Sequence, residues 1–125
     1  MVRAPLTQSE IESLAAEAVS SFHREQNGRA PGRCQAFLVG DLLVVRLEDT
    51  FTQIEQDLVR TDEGKKLVQS SRRDLRALIR RQVEEKISSA IGIGIQRSFC
   101  DTDVRNGMQV EVYQLDHAPE LEPKA

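Results

Sequence analysis

The chain has 125 residues, 39% of them hydrophobic and 30% charged, and a formal net charge of −3. That length supports one hydrophobic core, the composition excludes a disordered chain, and the acidity excludes a protein that coats nucleic acid through its overall charge. With no Trp, four Phe and one Tyr, the core has to be aliphatic.

The opening "MVRAPLTQSE" has no apolar h-region, so no signal peptide is expected. A helix then begins. Ile11, Leu14, Ala15, Ala18, Val19 and Phe22 recur at three- and four-residue spacings. Thr7 and Glu10 form a capping box, and Leu6 can staple onto Ile11. Asn27-Gly28 ends the helix and Pro31 prevents its resumption.

"CQAFLVGDLLVVRLE" follows, two β-rich runs around Gly40-Asp41. A two-residue turn with Gly first pairs Val39 with Leu42 and Phe37 with Val44. Cys34, Ala36, Leu38, Leu43, Val45 and Leu47 then lie on one face, and Phe37, Val39, Leu42 and Val44 on the other, with Gln35 and Arg46 at its end. Both faces are apolar, whereas a sheet open to water on one side alternates. A second layer is therefore expected: more of this chain, a sister subunit or a ligand. The longest apolar run, "AFLVGDLLVV", is too short to cross a bilayer.

"TFTQIEQDLVRT" reads as a short helix with a second capping box, Thr52 and Glu55, and a long helix spans roughly 62–91, closed by Gly92. Asn106-Gly107 predicts a type I′ hairpin that places Ile93, Ile95, Phe99, Val110 and Val112 on one face. Residues 116–125 are polar and proline-bearing and read as a disordered tail. The expected fold is α+β: one domain over 7–115 in the order αββ–α–αββ, with helices packed on a four-stranded antiparallel sheet.

Within the long helix, "SRRDLRALIRRQ" places five arginines in ten residues. At about 100° per residue, Lys65, Lys66, Arg72, Arg73, Arg76 and Arg80 share one arc, opposite Leu67, Val68, Leu75, Leu78 and Ile79. The expected arrangement is a basic outer face, solvated or docked on an acidic partner or an anionic surface. Past Arg80 the pattern moves, because Val83, Ile87, Ala90 and Ile91 follow the line of the arginines. This predicts different packing partners for the two halves, with another helix, from this chain or a second one, against the first half. Arg80–Glu84 and Arg81–Glu85 add i,i+4 ion pairs. No aromatic residues interleave with the arginines to stack on bases, which argues against nucleic acid.

Motifs for chemistry are sparse. Neither His23 nor His117 has Cys or carboxylate neighbours at metal-ligand spacing, and no GxSxG, P-loop or GxGxxG is present. Cys34 and Cys100 lie far apart, outside any CxxC pattern, as reduced thiols of a cytoplasmic protein do. Asp101 and Asp103 share a face near the second hairpin's tip, where they either cap the turn, meet an arginine or hold a cation. Arg29, Arg46, Arg72 and Asp101 are candidate liners of an anion pocket between sheet and helix. No catalytic, metal or cofactor site is expected.

The order of short motifs resembles the bacterial MpsC-like family: "GRAP" at 28–31, Val45-Arg46-Leu47, "FTQIE" at 51–55, Arg72-Arg73 and "CDTDVRNG" at 100–107. Ala30 and Phe51 stand where the family pattern has Gly and Leu. The resemblance implies a small cytoplasmic protein associated with a membrane cation or bicarbonate transport complex, with no known enzymatic activity. Two expectations follow. The first is a non-enzymatic accessory or regulatory protein, homodimeric or of higher order, that docks through Arg72, Arg73, Arg76 and Arg80 and through Phe37, Val39, Leu42 and Val44. The alternative is a sensor of a small anion or nucleotide.

Overall fold

The computed structural model describes residues 5–123. Helix α1 (Gln8–Asn27) starts at the Thr7 cap, with Thr7 and Glu10 reciprocally bonded, and ends at Gly28 with φ 80°. Strands β1 (Arg33–Val39) and β2 (Leu42–Glu48) form the first hairpin in the expected register, Val39 opposite Leu42 and Phe37 opposite Val44. The capped helix α2 (Gln53–Leu58) and the 30-residue helix α3 (Asp62–Ile91) follow, then strands β3 (Ile95–Asp103) and β4 (Met108–Leu115). The fold is α+β.

The two hairpins join through β2 and β4, which pair antiparallel, giving the sheet order β1-β2-β4-β3. Helices α1 and α3 pack on one face and on each other. There Ile11, Ala15, Val19 and Phe22 of α1 meet Val83, Ile87 and Ile91 of α3 and Leu38, Leu43, Val45 and Tyr113 of the sheet in one buried cluster. At the α2–α3 junction a Cβ on Gly64 would collide with the Leu58 carbonyl oxygen, so only glycine lets α3 begin there.

Three expectations need correction. The second hairpin closes through a four-residue loop, 104–107, with Asp103 opposite Met108, and not through a two-residue turn. Local polar bonds outweigh the Asn-Gly preference: Asp103 Oδ1 accepts the Arg105 N–H, Asn106 Oδ1 accepts the Met108 N–H, and only Gly107 takes positive φ. A register shift between Ile95 and Arg97 turns Ile95 to the helix side, where it packs with Ile93 against the core, leaving Phe99, Val110 and Val112 on the outer face. The tail, read as disordered, folds back instead. Leu121 bridges Leu6 in parallel and the Glu122 N–H donates to the Leu6 carbonyl at 2.9 Å, while Lys124 and Ala125 lie outside the described residues.

Candidate functional site

One inward line runs the length of α3: Val68, Arg72, Arg76, Ile79, Val83, Ile87 and Ile91, at three- and four-residue steps. The predicted facing of Arg72 and Arg76 is therefore reversed. Val68 and Ile79 face inward as expected but, within about 40° of Arg72 around the helix, lie beside the arginines and not opposite them. Arg72 and Arg76 point at the sheet, with side chains only 10% and 14% exposed. Leu67 and Leu78, expected inside, are exposed. Helix α2 and the sheet partner this half.

Arg72 is held on every side. Its Nε and Nη2 donate to the two carboxylate oxygens of Glu55 at 2.7 Å each, and Nη2 also donates to the Thr50 carbonyl at 2.8 Å. Nη1 reaches Gln109 Oε1 at 3.2 Å, and the guanidinium lies 5.0 Å from the Phe51 ring centre. Such a bidentate, multiply satisfied pair can offset the cost of burying two charges. Burial raises the Glu55 pKa, but the bonds from Arg72 and Thr52 outweigh it and leave it below the ordinary value. Glu55 thus has two tasks, capping α2 and fixing α3.

One turn on, Arg76 donates to Tyr113 Oη at 3.2 Å and Ser98 Oγ at 3.0 Å and faces Glu111 Oε2 at 3.7 Å. Glu111 is buried in mid-strand and accepts from the Tyr113 hydroxyl and from Gln109 Nε2. Burial opposes charge on Arg76, but Tyr113 and Glu111 prevail and raise its pKa. Burial, then Glu111, push Tyr113 well above its ordinary value. Burial also drives the thiols up, Cys34 to about 11 and Cys100 to about 12, with Glu111 adding to both. Neither is a thiolate at neutral pH.

Beside the arginines, between the C-terminal half of α1 and the first half of α3, lies a cleft of about 310 Å³. Val19, Phe22, Leu75, Ile79 and Val83 supply its apolar wall, and His23, Gln109 and Glu111 its polar one. His23 is buried with Nε2 3.4 Å from the Thr50 carbonyl, and burial, then Arg72, lower its pKa.

Among the described residues no helix packs on the opposite side of the sheet. Phe37, Val44, Val112 and Phe99 fall in register as one row across all four strands. Phe37 is 43% and Phe99 62% exposed, and Val39 and Leu42 are exposed beside them. The predicted residues Phe37, Val39, Leu42 and Val44 are thus one half of a larger apolar band.

The remaining predicted residues scatter. Arg73 and Arg80 stay on the surface, Arg80 with Nη1 3.5 Å from Glu84. Arg29 bonds Asp49 at 2.9 Å and the Phe51 carbonyl at 2.6 Å. Arg46 lies across the outer face, bonded to Gln35 at 2.6 Å, and Asp101 sits at the same face's far edge, accepting the Thr102 N–H. The four-residue anion pocket is not assembled. Arg72 and Asp101 both line a small cavity of about 70 Å³ at the β3 edge, but Arg46 lies on the outer face against Gln35, and Arg29 is tied to Asp49 and the Phe51 carbonyl. Among the described residues no group of three or more His, Cys, Asp or Glu could hold a metal ion. Sequence reasoning missed Glu55, Glu111 and Tyr113 as partners of the arginines and His23 as their neighbour in the cleft wall. The available signal was the unbroken line from Val68 to Ile91, together with Gln109 and Glu111 alternating with Val110 and Val112.

A family model described as "Na+-translocating membrane potential-generating system (MpsC)" matches residues 7–117. The chain belongs to the MpsC family. A curated relative, the uncharacterized protein YrhF of Bacillus subtilis (strain 168), is 25% identical over 101 residues, which cover 80% of this MpsC chain and 83% of YrhF. No solved structure matches. Among the described residues no helix is long and apolar enough to cross a membrane.

Proposed function

We propose that this MpsC-family chain is a non-enzymatic, cytoplasmic accessory protein that pairs with a second copy of itself through the outer sheet face and docks, as that dimer, on a membrane cation-transport complex. The observation that carries the reading is the uncovered row Phe37–Val44–Val112–Phe99. Four strands about 4.8 Å apart and seven residues long at about 3.3 Å each make a face of roughly 20 by 23 Å, a footprint suited to a small isologous interface.

The face is self-complementary. A twofold axis parallel to the strands lays β1 over the second copy's β3, so Phe37 meets Phe99 and Val44 meets Val112. The adjoining row, Gln35–Arg46–Val110–Asp101, then sets each Asp101 over the Gln35 beside Arg46, bringing unlike charges together at the rim. Pairing by strand addition at β1 is disfavoured. The Leu38 N–H already donates to Glu12 Oε2 at 2.8 Å, and its carbonyl accepts from Gln8 Nε2 at 3.1 Å. Of the arginine stretch, Arg73, Arg80 and Arg81 remain at the surface to steer an acidic partner. The membrane assignment rests on the family description.

Sedimentation velocity tests the pairing. The wild-type chain is expected to be dimeric at micromolar concentration, and Val44→Lys with Phe99→Lys monomeric with unchanged circular dichroism. A wild-type monomer at tens of micromolar overturns the pairing. The docking is read in cells lacking the gene, as sodium-dependent membrane potential followed with a voltage-sensitive dye. Wild type restores it and the double variant does not; a potential unaffected by loss of the gene overturns the docking.

A further inference from the structure

The cleft between α1 and α3 lies across the sheet from the proposed dimer face and is independent of it. Its charges cancel locally. Arg72 is bound to Glu55 at 2.7 Å, and Arg76 faces Glu111 at 3.7 Å. His23 and the Cys100 thiol are neutral at pH 7, both shifted first by burial. An ion entering brings a charge that nothing in the wall balances, and an unbalanced charge in a poorly solvated site is costly. A neutral molecule incurs no such cost and gains from contact with Val19, Phe22, Leu75, Ile79 and Val83.

Two polar groups can orient it. Arg76 Nε–H is buried and has no hydrogen-bond partner, although both terminal nitrogens of the same guanidinium are bonded. A buried donor left unpaired costs free energy, which a ligand acceptor recovers if the Arg76 side chain turns its Nε–H into the cleft that it lines. His23, with Nε2–H directed at the Thr50 carbonyl, presents Nδ1 as an acceptor for a ligand hydroxyl or amide.

We propose that this cleft binds a neutral, mostly apolar small molecule of about ten to fifteen non-hydrogen atoms that carries a carbonyl-type acceptor for Arg76 and a hydroxyl or N–H donor for His23. A chain with such a site couples occupancy to the α1–α3 packing, because the ligand touches both helices.

The test uses the full ¹⁵N-labelled chain and two probes with one frame: 4-hydroxyacetophenone, which is neutral, and 4-hydroxybenzoate, which is anionic at pH 7. The neutral probe is expected to shift amide resonances of residues 19–27 and 71–83 and the Arg76 Nε–H resonance saturably, with the benzoate binding at least fivefold more weakly. Leu75→Trp, which fills the mouth, is expected to abolish those shifts while the sheet resonances stay in place. Equal or tighter binding of the benzoate overturns the proposal, as does the lack of a saturable shift with the ketone. Unchanged binding to Leu75→Trp overturns it as well, and the wild-type comparison of the two probes stands whether or not that variant folds.

Discussion

β2 and β4 lie side by side at the centre of the sheet, and their inward residues are opposites. Leu43, Val45 and Leu47 of β2 pair with Tyr113, Glu111 and Gln109 of β4, all six of them buried. The helices match them. Aliphatic and small residues of α1 cover the β2 half, and Arg72 and Arg76 of α3 cover the β4 half. One half is joined by area removed from water, which is tolerant of direction. The other is joined by bidentate and networked hydrogen bonds, which are not. The ionic half thus fixes where α3 sits, and the aliphatic half supplies most of the cohesion.

If that division is right, breaking the ionic half should cost as much as a core cavity. Arg72→Ala leaves Glu55 partly buried without its partner and is expected to lower unfolding stability by about 3–5 kcal/mol, read from urea denaturation. A loss under about 1 kcal/mol would mean that Arg72 is only covering the cleft.

Acid should separate the halves next. His23 has a folded pKa below the ordinary 6.5, so below 6.5 the unfolded chain binds the proton more readily and stability falls with pH. Glu55, also lowered, from 4.5, keeps its contribution above that value and loses it as pH falls through its folded pKa. Two successive drops in thermal midpoint are expected, the first starting near pH 6.5. His23→Gln should flatten the first and spare the second. A first drop that persists in the variant would assign it elsewhere.

The smallest effect belongs to the arginine that faces water. Arg73→Glu is expected to change stability by no more than about 0.5 kcal/mol, and a loss like that of Arg72→Ala would erase the distinction between the two neighbours.

The sequence told much about elements and little about the arginines. Both capping boxes, the Gly28 and Gly92 stops and the first hairpin's register depend on residues within a few positions of each other, so local rules recover them. The facing of α3 does not. Sorting charge outward is sound for most helices, but Arg72 and Arg76 are made affordable by Glu55, Glu111 and Tyr113, the last two more than thirty positions away. The second hairpin's loop was misjudged for a related reason. Thr50, from a distant turn, donates both its N–H and its hydroxyl to the Gly107 carbonyl and holds the wider loop in place. The outer apolar face was legible as two-sided greasiness of the first hairpin, and only the strand order revealed that it continues onto Val112 and Phe99.

Glu12 has a role beyond anchoring α1. "AFLV" and "LLVV" are rich in β-formers and carry no charge, the makeup of a segment prone to stack into fibrils. By occupying the Leu38 amide, this carboxylate acts as a gatekeeper. During refolding, that stretch is shielded from other chains only once the first two turns of α1 have settled, so the yield of native protein should depend on how early α1 docks.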